Sequence, residues 1–304
     1  MTFLEYIETI RTNGQTVVTI GNFDGLHLGH MELINKAVSL SREYNLESIA
    51  FTYDIHPLSY LYSKAVHLLM SNEDKEEILI SKGIDRVLHV PFDEDIRNMT
   101  SQEFCDLVLI KKLKTKHLVM GADAKFGKEK QDIYHIKEYC EQQGIEVHII
   151  PLLVMDEKRI SSSSIRKLVE HGDIEKANKY LGRYFSVEGI VVHGKKLGRK
   201  IGYPTANLMI EGDKAVPHKG VYETLVEIEG KTYRGATNVG TNPTVGDKSL
   251  RVETYVIDLN EELYGKHIKV SFIRKLRDEI KFNSIEKLIA QMQKDVENIL
   301  GNKI

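Results

Sequence analysis

Long apolar runs are missing from this 304-residue chain. No stretch reaches the ~18 apolar residues of a membrane span, and the opening MTFLEYIETIRTNGQ lacks the basic start and apolar run of a secretory leader. Cysteine is scarce. Cys105 and Cys140 are too few for a disulfide framework and lack metal-ligand spacing, which suits a reducing, cytoplasmic setting and reads as two small buried hydrophobes. Net charge is nearly absent as well: Lys+Arg 42 against Asp+Glu 44 leaves −2, so no global field draws the chain to nucleic acid or an anionic membrane. There is no internal repeat, and the one low-complexity tract is Ser161 to Ser164. What is there, 41% hydrophobic and 28% charged residues, excludes disorder, and the length favours two domains.

Along the first 150 residues, β-branched runs alternate with amphipathic stretches. Thr16 to Ile20, Ser48 to Thr52, Arg86 to Val90, His117 to Met120 and Glu146 to Ile150 read as buried strands. Met31 to Tyr44, Asn72 to Lys82, Ser101 to Leu113 and Ile133 to Gln143 read as helices, and the rhythm predicts a Rossmann-like parallel sheet covered on both faces. Ser161 to Leu181 turns wholly helical, with a Gly-Asp break and a stop near Gly182. From Phe185 to about Phe272, short alternating runs separated by Gly, Asn, Asp and Pro predict a Greek-key antiparallel β-barrel, partly covered by a terminal helix from Ser284. The expected domains are therefore 1–182 and 183–304.

The run TIGNFDGLHLGH, Thr19 to His30, stands where the first strand hands over to a helix, the place where α/β sheets bind ligands. Gly21, Gly25 and Gly29 are four apart, which fits neither GxGxxG nor a P-loop. His27 and His30, three apart, can lie on one side of a helical turn and donate to phosphate oxygens. A metal site using the pair with Asp24 or His56 lacks a third ligand at firm spacing, and a structural turn leaves both histidines unexplained.

Downstream, Val191 to Leu208 packs three glycines and four basic residues into nine positions, a loop able to fold over phosphates, or else a solvated basic loop. Thr205 and Asn207, two residues apart, would point the same way from a strand and offer the hard oxygen ligands that suit Mg2+. Glu253 is the one acid in the run RVETYVI, readable as a half-exposed strand residue or as a general base.

These residues carry a resemblance. GNFDGLHLGH is similar to the GxFDGxHxGH signature of the HxGH nucleotidyltransferase superfamily, and ISSSSIR, Ile160 to Arg166, to its second signature. The second half resembles the riboflavin kinase family through GxxxGRxxGYPTAN at Gly194 to Asn207, KGVYET at Lys219 to Thr224, NVGTNPT at Asn238 to Thr244 and VET at Val252 to Thr254. Together the halves resemble the bacterial bifunctional riboflavin kinase/FMN adenylyltransferase family, often called FAD synthetases.

The resemblance implies that the barrel phosphorylates riboflavin to FMN with ATP. Glu253 would accept the hydroxyl proton, Thr205 and Asn207 would position Mg2+, and Gly194, Lys195, Gly198 and Arg199 would close over the nucleotide. The first domain would adenylylate FMN to FAD with release of pyrophosphate. His27 and His30 would stabilise the transferring phosphoryl group, with Gly21, Asn22, Phe23 and Asp24 lining the cradle and Ser162, Ser163 and Arg166 gripping pyrophosphate. His56, Pro57, Asp123 and Phe126 fall in segments that shape the flavin side, with Phe126 as a stacking partner. There the chain departs from the usual pattern, with Ile55 before His56-Pro57 and with Ala124-Lys125, which bears on flavin affinity or redox-state preference. The expected partners are small molecules only, without nucleic acid or membrane, the chain being a monomer or weak homo-oligomer in the cytoplasm. A paralogue with one active domain, a flavin or nucleotide sensor, and an RNA-binding regulator are the alternatives.

Overall fold

The structure, a computed structural model, describes residues 1–62, 66–194, 198, 201–210, 212–241 and 250–302, with Tyr62 and Leu250 described in backbone alone. By packing the chain divides into two units, Met1–Val66 with Ser71–Ser162 and His67–Met70 with Ser163–Ile304.

The first unit is built on five parallel strands in the order Arg86–Val90, Glu47–Tyr53, Thr16–Ile20, Thr115–Gly121, Glu146–Ile150. Thr16–Ile20 is buried along its whole length, as a central strand covered on both faces must be. Strand order reverses between it and Thr115–Gly121, so the crevice at the switch point opens at the carboxyl ends of those two strands. Helices Leu28–Tyr44, Asn72–Ser81 and Ile133–Gln142 follow the expected stretches. Ser101 to Leu113 is more particular: an α-turn at Ser101–Phe104 runs into a wider π-helical segment, Cys105–Lys112. The core joins Phe51, Val108, Leu118, Ile136 and both cysteines. Cys105 and Cys140 are buried with their sulfurs 3.2 Å apart, so the reading as small hydrophobes holds, with a thiol contact added.

In the second unit six antiparallel strands close into a barrel in the order Phe185–Val192, Thr205–Met209, Leu250–Val256, Lys231–Thr241, Gly220–Ile228, His267–Arg277 and back to the first. Phe185–Val192 alternates buried and half-buried residues without exception, the period-2 signature of a barrel wall. Inside, Thr224, Thr237 and Thr254 link hydroxyl to hydroxyl at 2.8 and 2.9 Å, satisfying polar groups that would otherwise be stranded among Val187, Val226, Val252 and Phe272.

Helices Ser162–His171 and Ile174–Leu181, the latter capped by left-handed Gly182, group with the barrel from Ser163 onward, although the expected boundary put them with the first domain. Asn178 is one reason: its amide donates to the Phe272 carbonyl at 2.8 Å and accepts the Phe185 N–H at 2.7 Å. Amphipathic periodicity marks a buried face but not the core that face joins.

The terminal helix Ile285–Gly301 covers the outer barrel face that carries Glu223. Glu223 is fully buried, bound by Arg234 and Arg274 at 2.7 Å each and by the Asn302 amide at 3.3 Å. Arg277 grips Asp295 of the helix in a fork at 2.7 to 3.1 Å. Removing one member strands buried charge, so Glu223→Ala is expected to destabilise the barrel by about 3 kcal/mol, read by urea unfolding. A change below about 1 kcal/mol would rank the cluster with ordinary surface pairs.

Candidate active sites

At the carboxyl end of Thr16–Ile20 the chain turns tightly through a left-handed Gly25 (φ 77°) flanked by two non-glycine residues with positive φ, Phe23 (50°) and Leu26 (37°). Both of those side chains are fully buried, and that anchorage holds a backbone shape which would otherwise relax. His27 is the N-cap of Leu28–Tyr44, its Nδ1 accepting the His30 N–H at 3.3 Å. The two imidazoles stack with centroids 3.7 Å apart and planes within 15°, so the three-residue spacing delivers them to one side of the helix start. A Cβ on Gly29 would stand 3.2 Å from the His27 ring, so glycine lets the ring sit this close without shifting. The Phe23 ring meets His30 edge-on at 5.4 Å. A mainly buried His27, a half-buried His30 and the first amides of the helix thus converge where an anion is favoured.

Behind the loop lies a polar chain that sequence inspection missed. Thr52 donates to the Asn22 carbonyl at 3.2 Å, and the Lys75 ammonium donates to Thr52 Oγ1 at 3.3 Å and Asn72 Oδ1 at 3.0 Å. Lys75 is 6% exposed. Burial pulls its pKa down to about 8, against the pull of Asp24 and Asp54 the other way. Between that value and an unfolded value of about 10.5 only the unfolded chain holds the proton, so the wild type gains stability as pH rises through this window. Relative to Lys75→Met, the gain should approach about 3 kcal/mol between pH 8 and 10.5. Parallel urea melts at the two ends check it, and a constant difference would contradict the burial argument.

Ser162 reaches the same loop, its hydroxyl donating to the Asp24 carbonyl at 2.8 Å. Two of the sequence signatures therefore meet in the first unit. Ser163 and Arg166 belong to the second, where Arg166 Nε donates to the His67 carbonyl at 2.6 Å. On the expected flavin side, His56 Nδ1 accepts the Leu58 N–H at 3.2 Å and opens helix Pro57–Tyr62, while exposed Asp123 pairs with Arg159. Phe126 departs from expectation. Its ring is buried against Phe104 in the core, because the short hairpin of Lys125–Phe126 with Gln131–Asp132 turns it inward, so it is not held out for stacking.

On the barrel, strand Thr205–Met209 places Ala206 and Leu208 inside and the half-buried Thr205 and Asn207 outside. Asn207 is in register with Glu253, and Glu253 with Asn238 on the next strand, making an outward row Asn207–Glu253–Asn238 across three strands. Asn238 was not singled out by sequence, since only the register brings it beside Glu253. A cavity of about 60 Å³ opens between Val191, Gly194, Gly198, Thr205, Asn207 and Tyr264. A Cβ on Gly194 would lie 2.5 Å from the Asn207 side-chain amide, so a larger residue there would displace that amide from its present position. Asn207 Oδ1 is buried with no hydrogen-bond partner among the described residues, an acceptor that those residues leave open. Lys195, Arg199 and Asn242 to Thr244 lie outside the described residues.

A family model of FAD synthetase matches residues 9–164, and one of riboflavin kinase matches residues 181–301. The chain belongs to the bifunctional riboflavin kinase/FMN adenylyltransferase family. Relatives of that name are 34% identical in Listeria monocytogenes (93% of this chain, 91% of the relative) and 35% identical in Escherichia coli K12 (92% and 90%). A solved structure from Streptococcus pneumoniae, described as a macrolide-efflux protein, is 32% identical with a TM-score of 0.91 and covers 98% of each chain. That description stays with that protein; among the described residues here, no helix is long and apolar enough to cross a membrane. With both family models matched in one chain, this family member carries a nucleotidyltransferase half and a kinase half.

Proposed function

We propose that the chain makes FAD from riboflavin in two ATP-dependent steps, with the barrel's Asn207–Glu253–Asn238 row serving the first and the His27/His30 stack the second. The observation that carries this division is that each match to a family contains its own polar site, one at the switch point of a parallel sheet and one on the outer wall of a barrel. We place the functional boundary near 182, close to where the riboflavin kinase match begins at 181.

In the barrel, Glu253 takes the proton from the riboflavin 5'-hydroxyl as its oxygen attacks the γ-phosphorus of ATP, and ADP leaves. Gly194, Lys195, Gly198 and Arg199 enclose the nucleotide. The orphaned Asn207 Oδ1 beside the Thr205 hydroxyl fits the hard-oxygen donor set of Mg2+. Bound there, Mg2+ would supply neutralisation of phosphate charge.

In the first domain the FMN phosphate is already anionic near neutral pH and needs no general base to attack the α-phosphorus of ATP. His27, His30 and the loop at Gly21, Asn22, Phe23 and Asp24 stabilise the charge that develops, and Ser162, Ser163 and Arg166 hold the leaving pyrophosphate. His56, Pro57 and Asp123 border the flavin. The reading places the enzyme in the cytoplasm, as a monomer or weak homo-oligomer acting on small molecules.

Purified protein given Mg2+, ATP and riboflavin should accumulate FMN and then FAD, resolved by chromatography. Failure to form either product with both oxidised and reduced flavin overturns the proposal.

A further inference from the structure

Away from both sites, three ligand-bearing side chains converge near the amino-terminal end of the parallel sheet. His117 and Glu146 are register partners on adjacent strands, and His148, two residues beyond Glu146, shares its face. His117 Nδ1 is 3.2 Å from His148 Nε2 and 3.6 Å from one Glu146 oxygen, and the other Glu146 oxygen is 3.4 Å from His148 Nε2. Zinc bonded to nitrogen and oxygen at about 2.0–2.2 Å in a tetrahedron holds its ligand atoms about 3.4 Å apart. The imidazole–imidazole edge and one imidazole–carboxylate edge have that spacing, and with a single Glu146 oxygen as ligand all three atoms lie within 4.8 Å of one another.

We propose that His117, Glu146 and His148 form a binding site for a divalent transition-metal ion, with Zn2+ the best fit to two imidazoles and one carboxylate. A hydrogen bond can join two of three converging acceptor atoms at a time, whereas a cation satisfies all three. His117 is almost wholly buried, with the Tyr44 ring 4.5 Å from its own. Burial disfavours the charged form of both histidines by more than the Glu146 carboxylate beside them favours it, which lowers both below the ordinary imidazole range, and the neutral imidazole is the form that binds metal. Glu146 is exposed, so the cluster borders solvent on its side, where a water can serve as fourth ligand.

The site is structural, not catalytic. Helix Leu28–Tyr44 carries the His27/His30 stack at its start and Tyr44 at its end, roughly 24 Å apart along the axis. A bound ion would therefore clamp strands Thr115–Gly121 and Glu146–Ile150 without touching the adenylyl-transfer chemistry.

The test uses the full chain, stripped with a chelator and titrated with Zn2+ against a chromophoric zinc indicator. Expected are one Zn2+ taken up by the triad, a raised melting temperature with Zn2+, and the intense visible absorption of tetrahedral Co2+ when that ion is substituted. Glu146→Gln and His148→Ala should weaken uptake by about 100-fold or more and remove the zinc-dependent shift, while both Mg2+-dependent activities stay at wild-type level. Because Glu146 is exposed, Glu146→Gln remains informative if His148→Ala fails to fold. Uptake unchanged in the variants, which would put the metal on another pair such as His27/His30, overturns the proposal, as does no uptake at all.

Discussion

Glu253→Gln is expected to lower riboflavin phosphorylation by about 10²–10⁴-fold, the usual worth of a positioned general base, while FAD formation from supplied FMN continues at the wild-type rate. Glutamine keeps the size and reach of the side chain but loses the negative charge and the capacity to accept a proton. Glu253 stands on the outer face of the barrel between Asn207 and Asn238, away from the interior threonine ladder, so the barrel should fold as before. Chromatography of flavins after incubation with ATP and either riboflavin or FMN separates the two activities in one experiment. If the change removes both activities equally, the assignment of separate sites is wrong. Since phosphoryl transfer rests mainly on positioning and charge stabilisation, Asn207→Ala should reduce the kinase step to a similar degree.

His30→Ala should have the mirror-image effect, slowing FAD formation from FMN by about 10²–10³-fold, the scale on which one donor to a developing charge matters, with FMN production intact. His30 is a cleaner probe than His27. The helix cap is made by the His27 ring to the His30 backbone N–H, so removing the His30 side chain preserves it. His27→Ala would add a lost cap of about 1 kcal/mol to any catalytic effect. An enzyme retaining more than a tenth of its adenylylation rate without the His30 ring would show that the stack is structural.

Much of this organisation was readable in the residues. Three of the five sheet strands, Thr16–Ile20, Arg86–Val90 and Glu146–Ile150, begin and end where their β-branched runs do, and Gly21, Pro91 and Pro151 stand directly after them as breakers. The alternating runs past Phe185 foretold barrel walls for the same reason of period. Thr205–Met209 was legible only as an extended PTAN segment, since its place in the barrel depends on partners far along the chain. Helices Phe3–Thr9, Pro57–Tyr62 and Glu94–Asn98 escaped notice, each too short to show a periodic face.

The sites divide in the same way. Side chains three apart on a helix or two apart on a strand have their relative positions set by local geometry, so the His27/His30 stack and the common facing of Thr205 and Asn207 follow from spacing. Sequence alone thus determined the family, the two architectures and the pairs of polar residues that share a face. Only the tertiary structure decided that Phe126 turns inward, that the Ser163–Leu181 helices pack with the barrel, that Lys75 is buried behind Asn22, and that His117 meets Glu146 and His148. Each of those depends on which distant segments share a core or a strand register, and no local period encodes that choice.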